Sequence, residues 1–427
     1  MFKFLKIWVL LAAICGVGLT PIYASRQTPE LSGNVTLYFF GDRAEEEAYQ
    51  AVVTGFNKLY PQIKVNLTVL PDGDNYLKKL TTDFAAGQPP DVFLINYREY
   101  VAYAKRNVLT PIQPYLEKSN GIKASDFYTP SQTAFTRNGV LQCMPQNASS
   151  LVTYYNKNLF KAAGLPFPTE AWTWDDFLSA AKALTKDGTP ATKQHGAGMQ
   201  VQFYRFMPFI WSNGGDIADN LDAPKKLLVD SPEAIGALKW FSELQTLHKV
   251  MPNEVEERSR SSQNRFLDGR LGMFFQSRRF TTTARTITKF DWDVAPLPKS
   301  KQFSTVLHAD GFCMSKAGKN QAATWAFIEY AVSVAGQGSL VKTGRIVPLN
   351  KSVAESTDFL DPSQKPANSK IFLSVIPTIR LSPNGDSWAE TESELTRQFA
   401  AAFYGNKTPE QAAADMIKNT ERLMVKP

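Results

Sequence analysis

The chain has 427 residues, too many for one compact core, and at ~150 residues per domain it is expected to form two or three. Hydrophobic residues make up 43% and charged residues 20%, which excludes a collagen, a coiled coil and wholesale disorder. The formal charge of +7 is a mild excess without a Lys/Arg run, so no nucleic-acid partner is expected; His195, His248 and His308 are the only histidines and lie at no metal-type spacing, so neither a metal nor a cofactor is expected.

Residues 1–24 place Lys3 and Lys6 before an apolar run from Ile7 to Leu19, with a small residue at Ala24. This is the pattern of a secretory signal peptide, and the run is too short for the ~20 residues that span a bilayer. The mature protein is therefore expected outside the cytosol, periplasmic or extracellular. Cys15 offers lipid anchoring as an alternative, opposed by Ile14 where a small residue is expected. Cys143 and Cys313 are left in the mature chain, either as a disulfide or as two buried thiols.

Val35, Leu37 and Phe39 alternate as in a strand. Tyr49, Val52, Val53, Phe56 and Leu59 then recur at helical spacing over 44–60, with Glu45, Glu46 and Glu47 in the first turn, where acids suit the helix dipole. Pro61 stops the helix, and Ile63, Val65, Leu67 and Val69 alternate again, completing one βαβ unit. A second helix is predicted from Tyr76 to Ala86, ending at Gly87, and a strand buried on both faces at 91–95. Further helices are predicted at 174–185, 231–248, 319–335, 391–404 and 408–424, and strands at 139–144, 151–155, 271–275, 292–296 and 305–315. The class is α/β with largely parallel sheets.

Seven motifs in order carry a resemblance. They are Phe56-x3-Tyr-Pro-x-Ile-Lys-Val65, the stretch 85–93 (AAGQPPDVF), the stretch 154–165 (YYNKNLFKAAGL) followed by 172–177 (WTWDDF), the stretch 211–215 (WSNGG), the stretch 266–274 (FLDGRLGMF), the stretch 295–298 (APLP) and the stretch 344–348 (GRIVP). Over roughly 34–424 the chain resembles the extracellular solute-binding proteins, family 1, which are the carbohydrate-binding components of ABC-type sugar importers. That resemblance implies a two-lobed periplasmic-binding-protein fold, class II-like, with hinge-linked α/β lobes and the ligand cleft between them. It implies one lobe from 25–147 plus 309–365 and another from 148–308 plus 366–427. The stretches 145–150 and 308–311 are the candidate crossings, which would bring Cys143 near Cys313 if they run side by side. It also implies a sugar or polyol as ligand and a membrane ABC permease with a separate ATPase subunit as partner, the binding protein acting as a monomer.

A sugar offers weakly apolar C–H faces that stack on rings, and hydroxyls that need planar polar partners. Sites in parallel α/β lobes lie off the carboxyl ends of strands. That rule selects Asp42 and Arg43 after the first strand, Asn96 and Tyr97 after 91–95, and Gln146 and Asn147 at the first crossing. It also selects Tyr204, Trp211, Arg278, Asp310, Arg345 and Trp388 in later loops, with Trp211 and Trp388 as candidate stacking platforms. Trp172, Trp174 and one of Tyr154 and Tyr155 read as core, Asp91 as a cap or pair at a strand start, and Arg345 alternatively as a partner for a carboxylate across the lobes. Arg278 stands where the family commonly has an aromatic residue.

Two other functions compete. Arg43, Arg278, Arg279, Arg345 and Arg380 would suit a phosphorylated polyol or another anionic ligand. A secreted glycoside hydrolase would need two facing carboxyl groups, and the chain has 40 acidic residues from which to draw them. No nucleophile elbow, zinc-protease motif or phosphate-cradling loop is present, so no enzymatic activity is expected.

Overall fold

The computed structural model describes residues 31–424 except 190–191 and 386; the proposed signal peptide, Cys15 included, lies outside the described residues. In chain order the strands are β1 (Gly33–Phe40), β2 (Ile63–Leu70), β3 (Val92–Asn96), β4 (Leu109–Thr110), β5 (Thr136–Arg137), β6 (Val140–Leu141), β7 (Met144–Pro145), β8 (Ser149–Asn156), β9 (His195–Met199), β10 (Leu271–Ser277), β11 (Trp292–Ala295), β12 (Thr305–His308), β13 (Asp310–Ser315) and β14 (Ile379–Arg380). They form two large sheets and one small hairpin, β5–β6.

The first sheet has the order β2-β1-β3-β13-β4, with β7 also on β13. Val35, Leu37 and Phe39 of β1 are fully buried, and Tyr49, Val52 and Phe56 of the helix Arg43–Leu59 pack on the same core. The helix begins where Asp42 caps it, its Oδ1 accepting from the Glu45 N–H at 3.0 Å, and ends at Leu59, two residues before Pro61 would break it. The next helix runs Gly73–Ala85, three residues earlier than its apolar spacing indicates, because Asp72 caps it. Asp91 ties β3 to β1 by accepting from both the Thr36 N–H, at 2.9 Å, and the Thr36 hydroxyl, at 2.8 Å.

The second sheet has the order β14-β12-β8-β10-β9, with β11 also on β8. Every residue of β8 and of β10 is buried, because apolar layers cover both faces. Tyr155 joins a cluster containing Phe206, Phe209, Phe241 and Phe399 on one face. Tyr154 joins Phe266, Phe274, Phe280 and Trp292 on the other, so both tyrosines are core. Trp172 and Trp174 are buried in the first of these clusters. Each fully buried ring of this size is worth about 1.5–3 kcal/mol of transfer free energy.

Neither sheet is largely parallel. β1 runs parallel to β2 and β3, but β13 is antiparallel to β3, β4 and β7. β8 is antiparallel to β10, β11 and β12. The cause is connectivity: the chain leaves the first sheet after Pro145, enters the second at Ser149 and returns at Asp310, so incoming and outgoing strands run in opposite senses. The stretch 305–315, expected as one strand, is two strands split at Ala309, where the chain passes between the sheets.

The passages run side by side. The Gln146 N–H donates to the Asp310 carbonyl at 2.8 Å, and Leu307 and His308 pair with Ser150 and Ser149. A third passage joins them where the Ala148 N–H donates to the Val347 carbonyl at 3.0 Å. Next to the register pair Phe312–Met144, Cys143 and Cys313 form a disulfide across 170 residues of chain, with Cα atoms 4.4 Å apart.

Candidate ligand-binding cleft

A cleft of 480 Å³ opens where the strands of both sheets end at the passages. Its floor begins at the first turn of helix Arg43–Leu59. Asp42 stands at the cap and Glu45 three residues on, so both carboxylates leave the same end of one helix. Gly41 makes the space: a Cβ on it would lie 2.1 Å from Glu45 Oε2.

Arg345 reaches this pair from the third passage. Its Nη1 lies 3.2 Å from Asp42 Oδ1, and its Nη2 donates to Glu45. Arg279, two residues past β10, lies 3.2 Å from Glu45 Oε2. Glu45 and Arg345 are buried, with side chains 8% and 7% exposed. Burial raises the Glu45 carboxyl above its ordinary range, against the pull of Arg279 and Arg345. Asp42 is partly buried too, which works against ionisation, yet Arg345 and the Glu45 N–H together hold its carboxyl below the usual range.

At the end of β3, Asn96 donates to Asp310 at 3.0 Å and accepts from Arg98 Nε at 3.2 Å. Arg98 forms an ion pair with Glu392 on the helix Trp388–Phe403, which packs on the second sheet's core. The Arg98 guanidinium also lies 4.1 Å from the centroid of Tyr204, whose ring is 5.0 Å from that of His308. Burial, reinforced by Arg205 and Arg98, pushes the His308 imidazole well below its usual range and keeps it neutral. Arg205 donates to Gln276 Oε1 at 2.6 Å. Gln146 donates to the Tyr49 hydroxyl, and Ser131 donates to the Asn147 carbonyl at 2.8 Å, which anchors the first passage.

Of the residues selected from sequence, Asp42, Asn96, Gln146, Asn147, Tyr204, Asp310 and Arg345 line this cleft. Arg345 is held by the carboxylates of Asp42 and Glu45, which belong to its own expected lobe and not to the one across the cleft.

The other five lie elsewhere. Arg43 points to solvent and pairs with Glu47 at 2.8 Å. Tyr97 is fully buried, its hydroxyl accepting from the Ser382 N–H at 3.0 Å. Arg278 is buried between Phe359 and Phe372 and donates to the Gly344 carbonyl at 2.8 Å. Trp211 and Trp388 are core residues, each 1% exposed, with their Nε1 atoms donating to Asp216 at 3.2 Å and to the Ser382 hydroxyl at 3.0 Å. Two of these misses have one cause. Neighbouring residues of an extended segment face opposite ways, so Asn96 and Ser277 reach the cleft while Tyr97 and Arg278 enter the core.

Sequence reasoning did not assign Glu45, Arg98, Arg205, Gln276 or His308 to the cleft. The Asp42-x-x-Glu45 spacing directly after a strand is a readable signal for Glu45, since a capped helix end there faces the strand ends. Arg205 and Gln276 carry no such signal. Among the described residues no group of His, Cys, Asp and Glu could hold a metal ion, and no helix is long and apolar enough to cross a membrane.

The family model for bacterial extracellular solute-binding proteins matches residues 41–338. A solved structure of the ABC substrate-binding protein Lmo0181 from Listeria monocytogenes, in complex with cycloalternan, superposes with a TM-score of 0.84 at 26% identity. It covers 92% of this chain and 99% of that one. The maltodextrin-binding protein MdxE of Bacillus subtilis is 22% identical over 417 residues, 96% of this chain and 95% of the relative. The sn-glycerol-3-phosphate-binding periplasmic protein UgpB of Shigella dysenteriae is 27% identical over 259 residues, 57% of this chain and 56% of the relative.

Proposed function

This chain belongs to the bacterial extracellular solute-binding proteins, and from that premise we propose that it captures a neutral sugar or polyol by closing its two lobes over it. The lobes are 25–147 with 309–347 and 148–308 with 348–427; the boundary expected at 365 moves to the third passage, which the packing of Val353 and Phe359 with Tyr154 and Phe274 supports. Residues 1–24 direct export to the periplasm or cell exterior. The closed, loaded monomer docks on a membrane ABC permease powered by a separate ATPase chain. It binds its ligand without turning it over.

The observation that supports a neutral ligand is the state of the cleft's cations. Arg345 is met by Asp42 and Glu45, Arg279 by Glu45, and Arg98 by Glu392. A phosphate would have to compete with those carboxylates, whereas a hydroxyl can donate to a carboxylate and accept from the guanidinium beside it. Maltodextrin and cycloalternan, named with two of the relatives, are of this neutral class. The anionic alternative rests on Arg205, which is met by the amide of Gln276 and by no carboxylate, and on the glycerol-phosphate relative.

The ligand shifts the protein toward closure by the extra contacts that it makes in the closed state, added to the ion pairs already joining the walls. The passages at 145–149, 308–310 and 346–348 are where the backbone would bend, since a few residues between rigid sheets absorb such a change. A thermal-shift panel of neutral sugars, polyols and sn-glycerol 3-phosphate tests the reading. A ligand at ~100 times its Kd adds ~2.7 kcal/mol of stability. A response to neutral compounds alone supports it. A response to sn-glycerol 3-phosphate alone replaces it with the anionic alternative.

A further inference from the structure

The cleft has no ring free to receive the apolar face of a sugar. No tryptophan of the described residues lines it. Four Phe and Tyr rings do, and each is already engaged by the protein. The Arg279 guanidinium lies 4.5 Å from the centroid of Phe40, and that of Arg98 lies 4.1 Å from Tyr204. Tyr76 is 1% exposed and donates its hydroxyl to the Leu94 carbonyl at 2.7 Å. Phe280 is 4% exposed and packs edge-on against Tyr154 and Phe274.

To stack on Phe40 or Tyr204, a sugar would have to displace a guanidinium that is also ion-paired, to Glu45 or to Glu392. Both carboxylates are largely buried; Glu392 would be left without its cation and Glu45 with Arg345 alone, and loss of charge compensation in a buried site is strongly unfavourable. The rings are therefore braces for the cations and do not serve as platforms.

The cleft instead presents edges. Asp42, Arg345, Glu45 and Arg279 form a continuous chain of alternating charge along the floor, and Asn96 with Asp310 continues the polar surface. Planar groups side by side suit adjacent hydroxyls of one ring, because each hydroxyl can donate to a carboxylate and accept from its neighbour. Such a surface grips the first ring or two along their rims. It offers nothing to the interior rings of a long chain, which expose mostly apolar faces. The volume of 480 Å³ lies in the lower half of the ~300–1,000 Å³ usual for ligand sites.

Resting on the sugar-binding reading above, we propose that the ligand is a short neutral sugar of one or two rings, recognised edge-on by the Asp42–Arg345–Glu45–Arg279 chain rather than by ring stacking. Cleft specificity is then set by hydroxyl configuration, and chain length beyond the second ring adds nothing.

Calorimetric titration of the whole protein tests this with α-1,4- and β-1,4-linked glucose series of one to four rings, together with galactose, trehalose and sucrose. The expected result is tight binding of at least one mono- or disaccharide, with affinity changing by less than about threefold between two and four rings, well under 1.4 kcal/mol. Affinity that climbs steadily to four rings, or that appears only there, overturns the short-ligand proposal and leaves sugar binding standing. Silence to all these sugars with binding of sn-glycerol 3-phosphate overturns both. The variants Glu45→Gln and Arg279→Gln, each checked for an unchanged ligand-free melting temperature, separate the recognition mode. A loss of about tenfold or more in affinity is expected, and wild-type affinity in both would overturn edge-on recognition.

Discussion

The two walls of the cleft carry opposite charge. On the side of the first sheet, five carboxylates line it: Asp42, Glu45, Asp74, Glu99 and Asp310. On the side of the second, Arg205 and Arg279 line it with Gln200, Gln263 and Gln276 and, among the described residues, no carboxylate. The sheets also differ in what holds them together. The second is sealed between apolar layers on both faces, whereas the first is braced at its centre by a disulfide and by the Asp91 hydrogen bonds. The difference teaches that the walls attract each other before any ligand arrives. A ligand that fits must bring donors to one wall and acceptors to the other, as a hydroxyl does and a phosphate does not.

The largest effect on that comparison should come from Arg345, the cation that the acidic wall already owns. Arg345→Met removes the buried one of the two cations on Glu45 and leaves only the partly exposed Arg279, and breaking such a buried pair is expected to cost about 3–5 kcal/mol, read by urea unfolding. Much of the loss should return in the double variant with Glu45→Gln, since neighbours in one network are not additive. Next comes the brace. Replacing Cys143 and Cys313 together by Ser is expected to lower stability by about 2–4 kcal/mol. An unchanged urea midpoint would show that the first sheet does not depend on the disulfide.

Gly41→Ala is a milder way to disturb the acidic wall. Its Cβ would meet Glu45 Oε2 at 2.1 Å, so the carboxylate must shift away from Arg279. Ligand affinity should fall by about tenfold, ~1.4 kcal/mol, and the unfolding midpoint should fall as well, though by less than in Arg345→Met. Acidification probes the second sheet. His195 is buried at the start of β9, and burial pushes its imidazole down to about 4 despite Glu256 at 3.3 Å. The unfolded chain titrates near ~6.5, so it binds more protons than the folded chain between that value and about 4. Stability should therefore fall as pH drops through this window, and His195→Gln should flatten the fall when unfolding is followed at pH 7 and pH 5.

Much of the architecture was legible because local chemistry and tertiary fate agree. The helix over 44–60 has its apolar face at Tyr49, Val52, Val53 and Phe56 and its end ahead of Pro61, as read, whereas Leu59 of the same reading is exposed and the cap at Asp42 was not foreseen. The break at Ala309 does not show in the apolar run itself, which reads the same whether it stays in one sheet or passes to another; only the family resemblance pointed to a crossing at 308–311. In the cleft, the residue types that sugar chemistry calls for led to Asp42, Asn96 and Asp310, which line it. They misled for Trp211 and Trp388, because a large ring with one donor is equally at home in a core once that donor finds Asp216 or Ser382. Glu45 was visible only as an acid suited to a helix start. Its role depends on Arg279 and Arg345, 234 and 300 residues away, and no local pattern reports that meeting.

The central claim is that oppositely charged walls close on a neutral sugar. Small-angle scattering of the protein alone, and with maltose, cellobiose, trehalose, sucrose or sn-glycerol 3-phosphate at millimolar concentration, tests it most directly. Closure predicts a smaller radius of gyration with at least one of the neutral disaccharides and none with the phosphate. Compaction by sn-glycerol 3-phosphate alone, or tight sugar binding with an unchanged radius, would contradict it.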